Sequence, residues 1–197
     1  LFRKNGHILG AASAVMSCHG KTIVFSGDIG RYESRFLLPP SSIPEADLVV
    51  MESTYGDKIH PPAIGMADAM LEVLRPVFAR GGKVIIPAFA VGRTQTAVYE
   101  LGRLMKDGQL PRVPVYVDSP LAVDATEVML RHPECYDDEM RELLAHPGDP
   151  FGFKMATYVR TAEESKALND KKGPFVVISA SGMAETVSAN FSSHGPE

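Results

Sequence analysis

An α/β protein in two parts is the architecture this sequence predicts, and three observations predict it. From residue 66 onward, stretches with helical spacing of apolar residues alternate with short β-branched runs. Before residue 58, apolar runs end in Asp, Glu or His residues set among glycines. Between these parts, His60-Pro61-Pro62 interrupts the chain and marks a candidate domain boundary. Helices alternating with short buried strands imply parallel strands joined by crossovers, so the second part reads as a mostly parallel sheet flanked by helices.

Composition narrows the function classes. The 197 residues are 45% hydrophobic and 22% charged, as in a globular protein with a sizeable core. No apolar run approaches the roughly 20 residues needed to cross a bilayer, so no membrane partner is expected. Leu1 to Gly6 shows neither an initiator Met nor the apolar core of a signal peptide, so the chain is expected to start within a longer one. Cys18 and Cys135 are too few and too far apart for a disulfide framework, which makes a reducing, cytoplasmic setting the default. Residues 1–58 carry six basic and six acidic side chains; the rest carry fourteen and eighteen, giving 14 − 18 = −4, the net charge of the whole chain. No global positive field exists to attract nucleic acid, so a polyanion would have to be held in a local groove.

Taken in order, residues 2–8 and 21–26 read as strands, with Ser17-Cys18-His19-Gly20 as the turn signal. Residues 46–51 form a short apolar run suited to a strand buried on both faces. Met66, Ala69, Met70, Val73, Leu74, Val77 and Phe78 have the spacing of an amphipathic helix closed by Gly81-Gly82. Residues 83–87 read as a strand and 93–106 as a helix with Val98, Leu101, Leu104 and Met105 inward. Residues 113–117 are the next strand. Ser119-Pro120 then opens a helix with Ser as N-cap and Pro in the first turn. A further helix covers 136–145, and residues 158–160 form a short strand. Thr161 with Glu164 makes a capping box for a helix to about residue 169, and 174–179 is the final buried strand.

The strand ends carry the chemistry. Gly27-Asp28-Ile29-Gly30 delivers a carboxylate where the backbone bends away, and Gly6-His7-Ile8-Leu9-Gly10 repeats the arrangement with an imidazole. One His and one Asp on neighbouring strand ends make a candidate half of a metal site, while an Asp before Gly is also an ordinary turn residue. In an open parallel sheet ligands bind at the carboxyl ends of the strands. Here those ends hold Ala88 to Thr94, Asp118-Ser119-Pro120 and Ser179-Ala180-Ser181-Gly182-Met183. Arg93 at a helix start opposes the helix dipole, which favours an anion-binding role. A phosphate-loop reading of Gly20-Lys21-Thr22 fails, because Val15 stands where the first glycine belongs and a strand follows. No GxGxxG is present, which argues against a dinucleotide. His19 reads as an exposed turn residue. His132 and His146, each before a proline, read as structural.

Six motifs in order, the His7 and Asp28 stretches, Glu52-Ser53-Thr54-Tyr55-Gly56-Asp57, Pro87 to Gln95, Asp118 to Ala122 and Ser179 to Met183, resemble the β-CASP branch of the metallo-β-lactamase superfamily. The resemblance runs from about residue 1 to about residue 185. It implies that residues 1–58 are the C-terminal part of the first segment of a metallo-β-lactamase αββα domain. Residues 59–185 would be the β-CASP domain, and 186–197 a tail or a remnant of the returning lactamase segment.

The activity implied is hydrolysis of RNA phosphodiesters by water activated on two zinc ions. In that reading His7 ligates one zinc, Asp28 bridges both, and Glu52 orients a histidine. The β-CASP domain clamps single-stranded RNA, with Arg93, Ser119, Ser179 and Ser181 in loops that contact phosphates. Oligomeric state stays open, with a homodimer as the candidate.

Departures from the family pattern bear on this reading. The His-x-His-x-Asp-His cluster of the family is absent: the histidines are His7, His19, His60, His132, His146 and His194. After Glu185 the family's Gly-Gly-Arg helix start is missing, while Phe191-Ser192-Ser193-His194 resembles its later Phe-Ser-x-His motif and makes His194 a further candidate. The chain therefore supplies only part of the ligand set, and tight binding of two zincs is not expected. Two rivals stand beside the zinc ribonuclease fragment: a non-catalytic RNA-binding or regulatory homologue, and an unrelated Rossmann-like hydrolase of a small phosphorylated molecule.

Overall fold

The computed structural model describes residues 1–32, 37–59, 65–145 and 155–180. Two compact units emerge, one comprising Leu1–Pro62 with His132–His146, the other Ala63–Arg131 with Pro147–Glu197.

The first unit holds a four-stranded sheet in the order β1-β2-β3-β4, with β1 at Phe2–Lys4, β2 at Ala12–Cys18, β3 at Lys21–Phe25 and β4 at Leu48–Val50. The first three strands are antiparallel, and β4 lies parallel to β3. Three corrections to the sequence reading follow. The expected strand over 2–8 stops at Lys4, because Asn5 and the residues after it turn to form a loop. A strand the reading did not assign, β2, joins it to β3. Its hairpin turns on His19 and Gly20, both with positive φ, the geometry whose twist matches paired strands. The third correction concerns β4, expected to be buried on both faces: Leu48, Val49 and Val50 are all exposed.

Residues 132–146, read from sequence as part of the second domain, group with this unit. The link is a bridge between Leu37 and Tyr136, with the Leu38 N–H donating to the Cys135 carbonyl at 3.3 Å. Tyr136 is fully buried, and burial pushes its phenol well above the ordinary range. A 3₁₀ turn at Pro133–Cys135 precedes a helix, α4 at Asp138–Ala145, two residues later than the sequence predicts. Asp137 starts it, its Oδ1 accepting the Met140 N–H at 2.9 Å.

The second unit is an all-parallel sheet in the order β5-β8-β6-β7, at Val84–Pro87, Val176–Ser179, Val115–Asp118 and Ala156–Val159. Helices α1 (Met66–Ala79), α2 (Arg93–Lys106), α3 (Pro120–Leu130) and α5 (Ala162–Ala167) connect and flank these strands. Alternation along the central strands divides the core in two. Val115, Val117, Val176 and Ile178 face the α1 and α2 side with Leu74, Val98, Leu101 and Leu104. Val177 packs on the other side with Val159, Leu168, Phe175 and Tyr116. Helix α2 matches its predicted bounds and inward stripe. Helix α1 differs in its stripe: Leu71, Leu74 and Phe78 are buried, while Met66 and Val73 face solvent.

Candidate functional site

Strand direction decides where the polar loops of the first unit go. Parallel β3 and β4 end at the same sheet edge, with Phe25 opposite Val50, so residues 26–30 and 51–52 leave side by side. Antiparallel pairing brings the Lys4 end of β1 and the Ala12 end of β2 to that edge too, and the loop between them carries His7. His7, Asp28 and Glu52 are thereby collected from three segments of the chain.

His7 Nε2 lies 3.8 Å from Asp28 Oδ2, and both side chains are open to solvent, at 45% and 74% exposure. Glu52 is half-buried, and its Oε1 accepts the Ile29 N–H at 2.8 Å. That bond first, and then the Thr54 hydroxyl, hold the Glu52 carboxyl below the ordinary carboxylate range; the His7 imidazole adds a smaller electrostatic effect. The resemblance assigns Glu52 to orienting a histidine. In the structure its carboxylate steadies the backbone next to Asp28.

Beneath these side chains lies a network that the sequence reading did not find. The Ser26 carbonyl accepts the Asn5 side-chain amide at 3.2 Å and the Ser13 hydroxyl at 2.7 Å, and all three residues are buried. The Ser26 hydroxyl donates to the Gly27 carbonyl at 2.6 Å and accepts the Glu52 N–H at 3.1 Å. The Asn5 carbonyl accepts the Gly30 N–H at 2.8 Å. Here Gly30 is required by close approach, since a Cβ on it would run into the Gly6 carbonyl. A signal existed: Ser13 and Ser26 fall on the inward alternation with Val15 and Val24, where an apolar residue is the usual choice.

A metal fits this edge in part. An exposed imidazole nitrogen and a carboxylate oxygen facing one another are two suitable donors. Among the described residues no group of three or more His, Cys, Asp or Glu side chains converges, so the donor set there is two.

At the carboxyl edge of the second sheet, Pro87, Ser179, Asp118 and Val159 lie in one row. This brings together the predicted Arg93, Ser119 and Ser179 loops, while Ser181, His60, His146 and His194 lie outside the described residues. Arg93 opens α2 with an exposed side chain that pairs with no carboxylate among the described residues. Ser119 is buried, and its Oγ accepts the Ala122 N–H at 3.1 Å, the N-cap the sequence predicts for α3. Ser179 is buried too, with its carbonyl accepting the Ala88 N–H at 3.0 Å. Both serines serve the framework of the edge, and Arg93 is the one of the three that reaches solvent. Gln95, which closes the Pro87 to Gln95 motif but has no role assigned from sequence, ties the edge together. Fully buried, it accepts the Gly92 N–H at 2.7 Å and donates to the Ala90 carbonyl at 3.0 Å and to Thr126 Oγ1 at 2.8 Å. Asp118, in the same row, accepts the Ser165 hydroxyl at 2.8 Å.

A family model described as the Beta-Casp domain matches residues 94–191. The chain belongs to the β-CASP family. Among similar proteins, one named Ribonuclease TTHA0252 of Thermus thermophilus is 40% identical over 182 residues, covering 92% of this chain and 42% of that protein. One named RNase J-like protein, of Methanocaldococcus jannaschii, is 35% identical over 187 residues, covering 93% and 42%. One named Transcription termination factor FttA, of Methanosarcina mazei, is 33% identical over 189 residues, covering 92% and 29%. This β-CASP chain thus spans less than half the length of these relatives. Its α/β fold, with a parallel sheet flanked by helices, agrees with the sequence prediction.

Proposed function

We propose that this chain is part of a zinc-dependent β-CASP ribonuclease that hydrolyses RNA phosphodiester bonds. The observation that carries the reading is the convergence of His7, Asp28 and Glu52 on one sheet edge in a chain similar to proteins named ribonucleases. His7 and Asp28 act as ligands, and Glu52 holds the Asp28 loop in place. Zinc, when bound, supplies a Lewis acid that makes hydroxide available near neutral pH and stabilises charge on phosphate oxygens. Two zincs serve the whole protein, whose further ligands come from outside the described residues. Arg93 meets phosphate on the path of single-stranded RNA. In this reading residues 1–58 are lactamase segment, 59–185 the β-CASP domain and 186–197 a tail or returning segment. A cytoplasmic setting, in keeping with two free cysteines, and a homodimeric state belong to the same proposal.

A second reading, a non-catalytic RNA-binding or regulatory protein, is favoured by the two-donor set and by relatives named termination factors. Cleavage of single-stranded RNA by the native gene product, with and without chelator, separates the two. Zinc-restored cleavage abolished by His7→Ala or Asp28→Ala is expected; RNA bound and left intact under all conditions selects the second reading. The 197-residue chain alone is expected to retain substoichiometric zinc after dialysis. Arg93→Ala is expected to weaken RNA binding with folding intact, and unchanged affinity removes Arg93 from the RNA path.

A further inference from the structure

We infer that Asn5 and Ser26 are positioning residues that lock the His7, Asp28 and Glu52 segments into a single arrangement. The purpose of the arrangement rests on the ribonuclease reading; its existence does not. His7 and Asp28 are exposed, and their mutual contact of 3.8 Å is too long to fix either side chain. What sets their spacing is the backbone beneath, and two buried side chains hold that backbone.

Asn5 spans the first two segments. Its side-chain amide donates to the Ser26 carbonyl at 3.2 Å, and its Oδ1 lies 3.4 Å from the His7 N–H, at the long end of the hydrogen-bond range. Its own N–H closes the His7 loop on the Ala11 carbonyl at 3.2 Å, and its carbonyl takes the Gly30 N–H at 2.8 Å. Ser26 spans the second and third. Its hydroxyl receives the Glu52 N–H and gives its proton to Gly27, while its carbonyl uses both lone pairs on Asn5 and Ser13. Glu52 closes the circuit by accepting the Ile29 N–H. Each segment is bonded to the next, and Ser13 ties the hub to β2. Asn5→Ala removes a bond to the Ser26 carbonyl, Ser26→Ala removes the bonds to the Glu52 N–H and the Gly27 carbonyl, and either loss spreads along a connected network.

Amide hydrogen exchange read residue by residue, on the 197-residue chain and its variants, tests the coupling. In Ser26→Ala, exchange is expected to rise about tenfold or more at Glu52, Ile29 and Gly30 together, with Val15 and Val24 unchanged. Asn5→Ala is expected to do the same at His7, Ile29 and Gly30, and Ser26→Thr, which keeps the hydroxyl, is expected to restore protection. In the native gene product both alanine variants are expected to lower kcat on single-stranded RNA by about ten- to a hundredfold, with KM within about twofold, as misplacement at a reacting centre does. A rise confined to the one amide whose partner was removed overturns the inference, as does unchanged kcat where the unmutated protein cleaves RNA. If the unmutated protein cleaves no RNA, the ribonuclease reading falls and the exchange pattern decides the coupling. Should Ser26→Ala loosen the whole sheet, Asn5→Ala and Ser26→Thr decide on the same readouts.

Discussion

In the C-terminal sheet β8 runs Val176–Ser179 with all four residues buried, whereas in the N-terminal sheet β4 runs Leu48–Val50 with all three exposed. Both are short apolar runs that read alike in sequence. The difference lies in position and cover. Strand β8 is central, hydrogen-bonded to β5 and β6, with apolar clusters on both faces. Strand β4 is, among the described residues, an edge strand. Register shows how far the exposure extends: Phe2, Ala14, Phe25 and Val50 form one row across the N-terminal sheet, with Met16, Ile23 and Leu48 in the next row of that face. Of these only Ala14 and Ile23 are half-buried, the rest exposed. The opposite face carries the buried Ser13, Val15 and Val24. Apolar composition therefore makes a strand, but what packs on it is settled elsewhere in the chain.

Mutations at matched positions sharpen this contrast. Ile178→Ala, in the covered sheet, is expected to cost about 2–5 kcal/mol in denaturant unfolding, while Val50→Ala on the open face stays within about 0.5 kcal/mol. Losses of equal size would show that the open face is covered. Next in magnitude, Ser119→Ala removes the buried N-cap of α3 and is expected to cost about 1 kcal/mol, read from the same unfolding curves. No change there would mean that the carboxyl edge of the parallel sheet does not depend on its cap.

Val50→Lys is expected to leave the melting temperature nearly unchanged and to reduce self-association by light scattering, because a charge on an exposed apolar edge strand blocks pairing with another chain. A large drop in melting temperature would again reveal a covered face.

The smallest effect concerns pH. The Arg160 N–H, and after it the Thr161 N–H, hold the Glu164 carboxyl below its ordinary value of 4.5. A carboxyl lowered on folding stabilises the fold above that ordinary value and loses its contribution as pH falls through the lowered one. Glu164→Gln is expected to flatten stability in that acid window and leave the N-terminal sheet's amide exchange untouched. An unchanged acid profile would remove Glu164 from the account.

Some of the candidate site was legible for a local reason. His7 and Asp28 each stand among glycines, and Arg93 opens a helix with the wrong charge for its dipole. Their supports were not legible. Asn5 and Ser26 are 21 residues apart, Ser26 and Glu52 26, and Gln95 and Thr126 31, and no short window contains both partners of any of these bonds. Glu52 stands out in sequence as an acidic strand end, but its hydrogen-bond partner, the Ile29 N–H, depends on β3 and β4 pairing in parallel.

The same boundary divides the whole molecule. The sequence by itself determined the bounds and stripe of α2, the Ser119 cap, the Thr161–Glu164 capping box and the parallel character of the second sheet. Capping and periodicity act over three or four residues, so they survive in a linear reading. Tertiary structure alone decided the strand Ala12–Cys18, the grouping of residues 132–146 with the first unit, the open face of the N-terminal sheet and the Asn5–Ser26 hub. Each of these depends on which distant backbone groups pair and which surfaces are covered, quantities that exist only once the chain has closed on itself.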